Sequence, residues 1–513
     1  MKNMKNILKY ALAAGIAAVM LASCDLDLVP TTSIAYTPGE SPMLTATDVT
    51  EFTNGVLSSY RGLYYGVYSQ TSEVMCDGFN AVVDYGNNYG SEHRMDDSFS
   101  ADNYDTRDLW SGNYGSIKNY NIAIENADGV ADNLKAAART MKGYAFFGRA
   151  SSYLTLARHF GKAYGPSAST DLCVPLVLKY NQVEKPARAT VAEVYAAIKE
   201  DLDSAAVILA NAKGAVRSQK PTIDAVNALY ARYYIDTKNY AQAAAYAEKV
   251  INSAAGYTLS SSADEMVEEW INDNGKEPIL QMFASMAEGT GGNTIFTQIS
   301  NDDKEGQYYA SYYIPSSNLM DTYEDGDLRL STWYDPTEMR PLRAASTFHR
   351  DGFYVFIKYY DNPALRSGEV PTGAHARKPL LISEMYLIAA EAYAQDGNTG
   401  QAAVYLNALQ TARGASATAG TLANVKTEWF KETVGEGLRY SCLKRWGDPI
   451  PARRPQAIAQ QAGVLMYLAG NPVYYDRPAV PATDHRMCYP VPTYEMQVNP
   501  NLVQNPGYTT ATE

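Results

Sequence analysis

Two segments of the chain combine tyrosines with planar polar side chains, a mixture that suits recognition of hydroxyl-rich ligands. They are "VVDYGNNYGSEHR" (82–94) and "SNDDKEGQYYASYY" (300–313). A tyrosine ring can cover the apolar side of a sugar ring, while amide, carboxylate and guanidinium groups hydrogen-bond its hydroxyls. The candidate ligand-binding residues are Asp84, Tyr85, Asn87, Asn88, Tyr89, His93 and Arg94 in the first segment, and Asn301, Asp302, Gln307, Tyr308, Tyr309 and Tyr312 in the second.

The tyrosine content of the whole chain is consistent with aromatic binding surfaces in these segments. Tyrosine occurs 41 times and phenylalanine only 12 times. A core built for packing alone would not favour the phenol so strongly, because its hydroxyl needs a partner when buried. Most tyrosines are nevertheless expected to pack between helices. Those in the two loops could equally pack the loops or contact a partner protein.

Catalytic signatures are weak in this sequence. It contains no HExxH and no GxSxG, and "GTGGN" (289–293) lacks the remainder of a dinucleotide-binding loop. The five histidines, at 93, 159, 349, 375 and 485, have no metal-ligand spacing. We therefore predict a binding protein without enzymatic activity, cofactor or catalytic metal. A glycosidase, which needs only two suitably separated carboxyls, stays open as a third hypothesis.

The charge of the chain argues against nucleic acid as a partner. The formal net charge is −13, whereas phosphate recognition requires clustered Lys and Arg. One short basic cluster, "PARRP" (451–455), is interpreted as a solvated loop. The negative charge mildly disfavours strongly anionic ligands as well.

The N-terminus has the pattern of an export signal that ends at a cysteine. Lys2, Lys5 and Lys9 precede the apolar run "ALAAGIAAVMLA" (11–22), which is too short to span a bilayer. "LASC" (21–24) has the form of a lipobox, which predicts cleavage before Cys24 and acylation of its thiol. An ordinary secretory signal is the alternative. No later run is apolar enough to span a membrane.

The other four cysteines, Cys76, Cys173, Cys442 and Cys488, are far apart in the sequence. Without CxxC spacing they do not predict a zinc site. An exported protein can form disulfides, and four cysteines allow three pairings. Buried free thiols are an equal alternative.

Helical patterns dominate after a Pro- and Thr-rich tether at 25–46. Helices are predicted from Asp48, with Glu51 completing a capping box, to about Tyr65, and at about 110–127, 132–160 and 190–209. The segment 69–108 is interpreted as a long irregular loop, of the kind that is often functional.

Two segments share the spacing of a tetratricopeptide repeat. "ALYARYYIDTKNYAQAAAYAEKVI" (228–251) and "LIAAEAYAQDGNTGQAAVYLNALQ" (387–410) place small or apolar residues at the same offsets across a turn. The matched residues are Ala231, Tyr234, Ala243, Ala247 and Val250 in one segment, and Ala390, Tyr393, Ala402, Leu406 and Leu409 in the other. Arg149 to Tyr153 resembles the first helix of a third, degenerate unit.

The stretch between the two clear repeats has little helical pattern. "FHRDGFYVFIKYYDN" (348–362) alternates like a strand or hairpin. The predicted fold class is mainly α: a tetratricopeptide-like α-α superhelix with long irregular insertions and a few short β-hairpins.

Six motifs in a fixed order make the chain similar to the SusD/RagB family of outer-membrane lipoproteins. They are "CDLDLVPTTSI" (24–34), "KGYAFFGRASSYLTLARHFGKAYG" (142–165), "IPSSNLMDTYEDGDLRLSTWY" (314–334), "ISEMYLIAAEAYAQDGN" (382–398), "VGEGLRYSCLKRWG" (434–447) and "YPVPTYEMQVNPNLVQNPGY" (489–508). One departure is Ser441-Cys442, which stands where the family more often has an aromatic and an acidic residue.

The resemblance implies a nutrient-binding lipoprotein on the cell surface, held in the outer membrane by its lipid. It implies capture of oligosaccharides and their delivery to a SusC-like TonB-dependent transporter, with the ligand face built from the two tyrosine-rich regions. The alternative is an adhesin-like or peptide-binding lipoprotein of the RagB type.

The resemblance also sets the expected domain boundaries. These are a signal peptide at 1–23, a lipidated tether at 24–46 and a SusD-like domain at 47–513, divided into a helical part at 47–270 and a second part at 271–513. Six charged or aromatic motif residues are expected to be structural, because such side chains on packed helices usually form salt bridges or bind helix ends. They are Glu384, Glu391, Glu436, Arg439, Arg445 and Trp446.

Overall fold

The structure is a computed structural model of the 513-residue chain. It describes residues 42–65, 68–81, 89–288, 295–297, 299–302, 306–309, 311–339, 350–456 and 477–509. The predicted signal peptide, Cys24 and most of the tether lie outside these residues. Within them, no helix is both long enough and apolar enough to cross a membrane.

Helices form about half of the described chain and strands are few, in agreement with the predicted mainly α fold class. The N-terminal half contains α1 (Ala46–Tyr65), α2 (Tyr68–Met75), α3 (Ser91–Arg94), α4 (Tyr104–Asn126), α5 (Lys135–Phe160), α6 (Val191–Ile208), α7 (Ile223–Asp236), α8 (Tyr240–Ile251) and α9 (Ala263–Trp270). The remainder contains α10 (Ser317–Met320), α11 (Leu328–Thr332), α12 (Ile382–Gln395), α13 (Thr399–Ala412), α14 (Leu422–Glu432), α15 (Arg439–Trp446) and α16 (Thr493–Val498).

The helix starts follow side-chain capping. The predicted start of α1 at Asp48 was wrong by two residues, because the helix begins at Ala46. Thr45 and Asp48 form the reciprocal cap: Asp48 N donates to Thr45 Oγ1, and Thr45 N donates to Asp48 Oδ2. Asp48 is thus the third helical residue and not the cap. A full capping box of Thr190 and Glu193 begins α6, where the sequence predicted it.

The tetratricopeptide-like pairs are confirmed. Helix α7 packs on α8, and α12 packs on α13. Small residues such as Ala243 and Ala402 are completely buried between the helices, which lets the two backbones approach closely. Asn239 and Asn398 cap the second helix of each pair. The degenerate third unit also has its partner, since α5 packs on α6.

Buried ion pairs join the scaffold helices to one another and to neighbouring turns. They are Arg149–Asp201 at 2.6 Å, Arg158–Asp236 at 2.7 Å, Arg232–Glu384 at 2.6 Å, Arg445–Glu391 at 2.7 Å, Arg439–Asp77 at 3.0 Å and Lys358–Glu436 at 2.7 Å. Trp446 Nε1 also donates to Glu391 at 2.8 Å. The predicted structural role of the six motif residues is confirmed.

The strands are short, with two to seven residues each. They are β1 (Phe79–Ala81), β2 (Leu172–Pro175), β3 (Arg188–Thr190), β4 (Pro278–Leu280), β5 (Ile299–Asp302), β6 (Gly306–Tyr309), β7 (Tyr313–Pro315), β8 (Tyr334–Met339), β9 (Arg350–Phe356) and β10 (Leu380–Leu381). Two-stranded pairs are β1–β7, β2–β3 and β4–β10, and one sheet has the order β5-β6-β8-β9. The strand or hairpin predicted in 348–362 corresponds to β9, which pairs with β8.

Two apolar clusters form the core of the described structure, one among the helices and one against the strands. The larger cluster fills the space between the scaffold helices, and a smaller aromatic one, with Trp270, Trp333 and Phe356, lies beneath the strands. Cys76, Cys173 and Cys442 are buried free thiols, and burial raises the pKa of Cys173 to about 12. No disulfide joins the cysteines within the described ranges.

Candidate ligand-binding face

A pair of strands brings the two tyrosine-rich segments together. Strand β1 ends where the first segment begins, and β7 begins where the second ends. The strands run antiparallel with Ala81 opposite Tyr313 and Phe79 opposite Pro315. Ser316 N donates to Gly78 O at 2.9 Å and closes the far end of the pair. Segments more than two hundred residues apart in sequence therefore leave this ladder side by side.

The buried side chain of His93 stabilises the β1–β7 pair. Its side chain is 1% exposed, and its Nε2 accepts a hydrogen bond from Ala81 N at 3.1 Å. Burial first, and then the charge of Arg453, hold the pKa of His93 well below its usual range, so the ring is neutral. The ring also lies 5.2 Å from that of Tyr313. His93 thus positions the two segments, and its buried ring does not reach the surface.

The first segment presents Tyr89 and Arg94 above this junction. Tyr89 is half-buried with a left-handed φ of 61°, uncommon for a residue with a side chain. Arg94 pairs with Asp96 at 2.7 Å and contacts Ser98 Oγ at 3.0 Å. The predicted residues Asp84, Tyr85, Asn87 and Asn88 lie outside the described residues.

The second segment forms the hairpin of β5 and β6. Asn301 lies opposite Gln307, Asp302 opposite Gly306, and Tyr308 opposite Ser300. Gln307 is exposed and donates to Glu369 O at 3.4 Å. Of these residues, the structure gives backbone positions alone for Asn301, Asp302 and Tyr308.

Two tyrosines of this segment have described side chains at partly buried positions. Tyr309 donates from its hydroxyl to Asp335 Oδ2 at 3.0 Å, and its ring lies 6.4 Å from that of Tyr360. Tyr312 is half-buried against the smaller aromatic cluster. The face can therefore offer ring surfaces with fixed hydroxyl and carboxylate positions.

Residues outside the predicted set complete the face. Tyr104 is 41% exposed at the start of α4, and Asp105 follows it at 7% exposed. The charges of Asp105 and Glu92 are among the causes, after burial, that raise the pKa of Tyr89, which places these groups together. Sequence analysis missed Tyr104 and Asp105 because they lie in the segment 69–108 that it interprets as an irregular loop, whereas α4 begins at Tyr104.

The described residues include no group of His, Cys, Asp and Glu arranged to hold a metal ion. The face therefore offers two kinds of contact in the described residues: aromatic ring surface and hydrogen-bonding polar groups. Which of the candidate residues touch a ligand stays a prediction.

Two family profiles match consecutive parts of the chain. A profile described as "Starch-binding associating with outer membrane" matches residues 38–235, and the SusD family profile matches residues 226–508. The second match alone covers more than half of the chain. No curated protein sequence matches the chain significantly.

Solved structures agree with the profiles. A SusD superfamily protein of Bacteroides thetaiotaomicron VPI-5482 is 22% identical, with a TM-score of 0.74 over 90% of this chain and 100% of that one. A protein named as sugar-binding from Bacteroides vulgatus ATCC 8482 is 26% identical, with a TM-score of 0.70 over 92% and 100%. A laminarin-binding SusD-like protein is 20% identical, with a TM-score of 0.69 over 91% and 100%.

The fold, the order of the six motifs and the profile matches agree along the whole described chain. The predicted mainly α, tetratricopeptide-like architecture is the architecture of these structures. The chain belongs to the SusD family.

Proposed function

We propose that the protein is a glycan-binding lipoprotein of the cell surface that captures oligosaccharides and passes them to a SusC-like TonB-dependent transporter. The observation that supports the glycan part is the β1–β7 pair, in which the strand that precedes the first tyrosine-rich segment lies beside the strand that ends the second. Aromatic faces beside carboxylates and amides are what a pyranose ring requires. The names of two structural relatives, one sugar-binding and one laminarin-binding, support the same ligand class.

Isothermal titration against a glycan panel tests the ligand class. The panel contains glucose, mannose, xylose and glucosamine oligomers, with peptides of mixed charge as the competing class. We expect binding of at least one glycan, weakened when Tyr312 is changed to alanine. Binding of peptides without any glycan would instead favour the RagB-type alternative.

The lipid anchor is proposed from the lipobox alone. Changing Cys24 to serine is expected to move the protein from the membrane fraction to the soluble fraction, because the acylated thiol is lost. Protease treatment of intact cells then tests the surface location of the wild-type protein. Full protection of the wild type would contradict it.

Delivery to a transporter is proposed from the family alone. Affinity purification from solubilised outer membranes is expected to recover a TonB-dependent barrel with the wild type. Recovery of fimbrial subunits in its place would favour the adhesin-like alternative.

Incubation of the pure protein with a bound polysaccharide is expected to release no shorter products, and release would favour the glycosidase hypothesis.

A further inference from the structure

A groove of about 540 Å³ lies beside helix α1, and none of the residues assigned to the ligand-binding face line it. Three segments form its walls: α1 itself, the turn at 219–220 and the segment 282–288 that follows β4. Pockets that hold small ligands have volumes of about 300–1,000 Å³, so the groove is large enough for a short oligosaccharide. We call it the α1 groove and define it by Asn54, Gly55, Ser58, Arg61, Gln219 and Phe283.

Contacts between the three segments fix the walls of the α1 groove. Arg61 of α1 forms an ion pair with Glu288, and its Nη1 donates to Phe283 O at 3.3 Å. Gln281 N donates to Ser218 O at 2.9 Å, so the other two walls are joined as well. The groove is therefore formed by the folded chain before a ligand arrives, which lowers the entropy cost of binding.

The wall that α1 provides contains an exposed glycine. Gly55 lies in the middle of this 20-residue helix, where glycine is less favourable than alanine. A Cβ atom added at Gly55 would meet no atom of the described structure within 4 Å, so packing against a neighbour does not require a glycine there. The bare backbone faces the groove instead, where it allows a ligand to approach α1 closely.

The side chains of the α1 groove offer the same two kinds of contact as the ligand-binding face. Phe283 is 43% exposed, and the Arg61 guanidinium lies 5.8 Å from the centre of its ring. Asn54, Ser58 and Gln219 are exposed, and their side chains form no hydrogen bond with other described residues. An exposed ring can cover the apolar side of a sugar, while amide and hydroxyl groups bind its hydroxyls.

These groups favour a neutral, hydroxyl-rich ligand over other classes. Arg61 and Glu288 neutralise each other, and the single charge of Lys220 is too little for a polyanion. A peptide that extends a sheet needs a strand edge, and none of the three walls is a strand. A purely apolar molecule would cover the amides of Asn54 and Gln219 without giving them a hydrogen bond.

We propose that the α1 groove is a second saccharide-binding site, which holds a neutral stretch of the glycan. The ring of Phe283 stacks on one sugar unit, and Asn54 and Gln219 hydrogen-bond its hydroxyls. This inference rests on the proposed glycan-binding function and adds a site to it. A polysaccharide long enough to reach both sites gains affinity, because the second contact forms within the same complex.

Calorimetry with hexamers of glucose, mannose, xylose and glucosamine tests the number of sites. We expect a hexamer that binds to occupy two sites on each wild-type chain. Gly55→Leu is expected to fill the groove and leave one site, and Phe283→Ala is expected to weaken the groove site by about threefold to tenfold, the usual value of one stacking contact. The matched control Gly62→Leu lies on the same helix, equally open but outside the groove, and should keep both sites.

Hydrogen exchange measured by mass spectrometry gives the location of the second site. A glycan in the α1 groove covers the segment 282–288, so exchange there is expected to slow when glycan is added to the wild type or to Gly62→Leu. Gly55→Leu is expected to lose this protection. The tyrosine-rich segments should respond to glycan in all three proteins, because the substitutions leave the ligand-binding face unchanged.

The outcomes separate this inference from the proposed function. A single site in the wild type without protection of 282–288, or two unchanged sites in both groove variants, would overturn the second site and leave glycan binding intact. Protection of 282–288 by mixed-charge peptides and by no glycan would overturn the saccharide assignment of the groove. Absence of binding for every glycan would overturn the proposed function, and the second site with it.

The variants are chosen so that each one folds. Leucine is a better helix former than glycine, and nothing described lies within 4 Å of a Cβ atom at either Gly55 or Gly62. Phe283 is an exposed residue between elements, so its truncation leaves the core intact. Circular dichroism of each variant verifies the fold, and either groove variant alone is sufficient for the test.

Discussion

The helical scaffold and the ligand-binding face differ in whether particular buried carboxyl groups form ion pairs. In the scaffold, Glu391 accepts both Arg445 and Trp446 Nε1, and Glu384 accepts Arg232 through two hydrogen bonds. On the face, Glu92 and Asp105 form no ion pair within the described residues, although the charge of Arg94 acts on Glu92 and that of Arg107 on Asp105. These scaffold carboxylates are held in ion pairs, while the two carboxyls of the face form none in the part of the chain that the structure describes.

This difference has an energetic meaning. A two-pronged arginine–carboxylate pair offsets much of the desolvation that both groups suffer, so the pair fixes how two helices meet. An uncompensated carboxyl instead lowers stability until a ligand or a proton arrives. Sites that lower stability in this way are typical of binding surfaces. The comparison therefore predicts opposite signs for carboxyl removal in the two regions.

The largest expected effect is in the scaffold. Glu391→Ala should lower the free energy of unfolding by about 3–5 kcal/mol, because the buried Arg445 guanidinium loses its partner at 2.7 Å and keeps only Asp236 at 3.5 Å, and the Trp446 N–H loses its acceptor. Urea denaturation followed by circular dichroism measures it. Glu391→Gln retains an acceptor and should cost less. A loss below about 1 kcal/mol for the alanine variant would show that the pair does not hold the helices.

Removal of a carboxyl charge from the face should act in the opposite direction. The pKa of Asp105 is about 8 in the folded protein, above its value in the unfolded chain. The folded state thus holds a proton that the unfolded state releases, and this contribution to stability is present at acid pH and is lost as pH rises through about 8. Asp105→Asn should stabilise by roughly 1–2 kcal/mol at about pH 8 and by nearly nothing at about pH 4.

Denaturation across this pH range, as the difference between wild type and variant, isolates Asp105 from the other groups. This difference is needed because Glu73 and Glu269 also have raised pKa values, about 7 and about 8, from burial first. A variant that is less stable than the wild type at both ends of the range would mean that the carboxyl has a structural partner. The contrast between scaffold and face would then be lost.

An aromatic ring on the face should matter for ligand and little for stability. Tyr104→Ala is expected to weaken glycan binding by about threefold to tenfold, the usual value of one stacking contact. The matched control is Tyr494→Ala, a tyrosine that is 60% exposed on α16. Calorimetry measures both variants. Equal weakening in the two would indicate a nonspecific aromatic contribution.

The smallest effect is expected for an exposed ion pair of the scaffold. Lys199 pairs with Asp203 at 2.8 Å one turn away, with both side chains about half exposed. Lys199→Met should change the free energy of unfolding by less than about 0.5 kcal/mol, since solvent screens such pairs. A loss comparable to that of Glu391→Ala would mean that burial is not what distinguishes the strong pairs.

Much of the scaffold could be predicted from local sequence. The offsets that link Ala231 to Val250 predicted a pair of antiparallel helices, and Asn239 lies at its turn as the cap. The start of α1 was misplaced because both Thr45 and Asp48 are residue types that can cap a helix. The motif residues were correctly assigned to salt bridges, yet their partners, such as Asp77 for Arg439, could not be named.

Less of the candidate site could be predicted from local sequence. Both tyrosine-rich segments were recognised by composition, but His93 could not be distinguished from a surface histidine before its contact with Ala81 was known. Asp105 gave no signal, because its unusual environment is created by Glu92 and Tyr89 on another segment. Residues that hydrogen-bond locally are predictable, and residues whose charge depends on a distant neighbour are not.

The sequence by itself determined the helical repeats, the family and the composition of the two loops, because periodicity is a property of neighbouring residues. The tertiary structure alone decided that Ala81 meets Tyr313, that His93 is buried and that the charge of Glu92 acts on Asp105. Pairing of distant strands and desolvation of charge depend on which segments meet in space, and local pattern does not specify that.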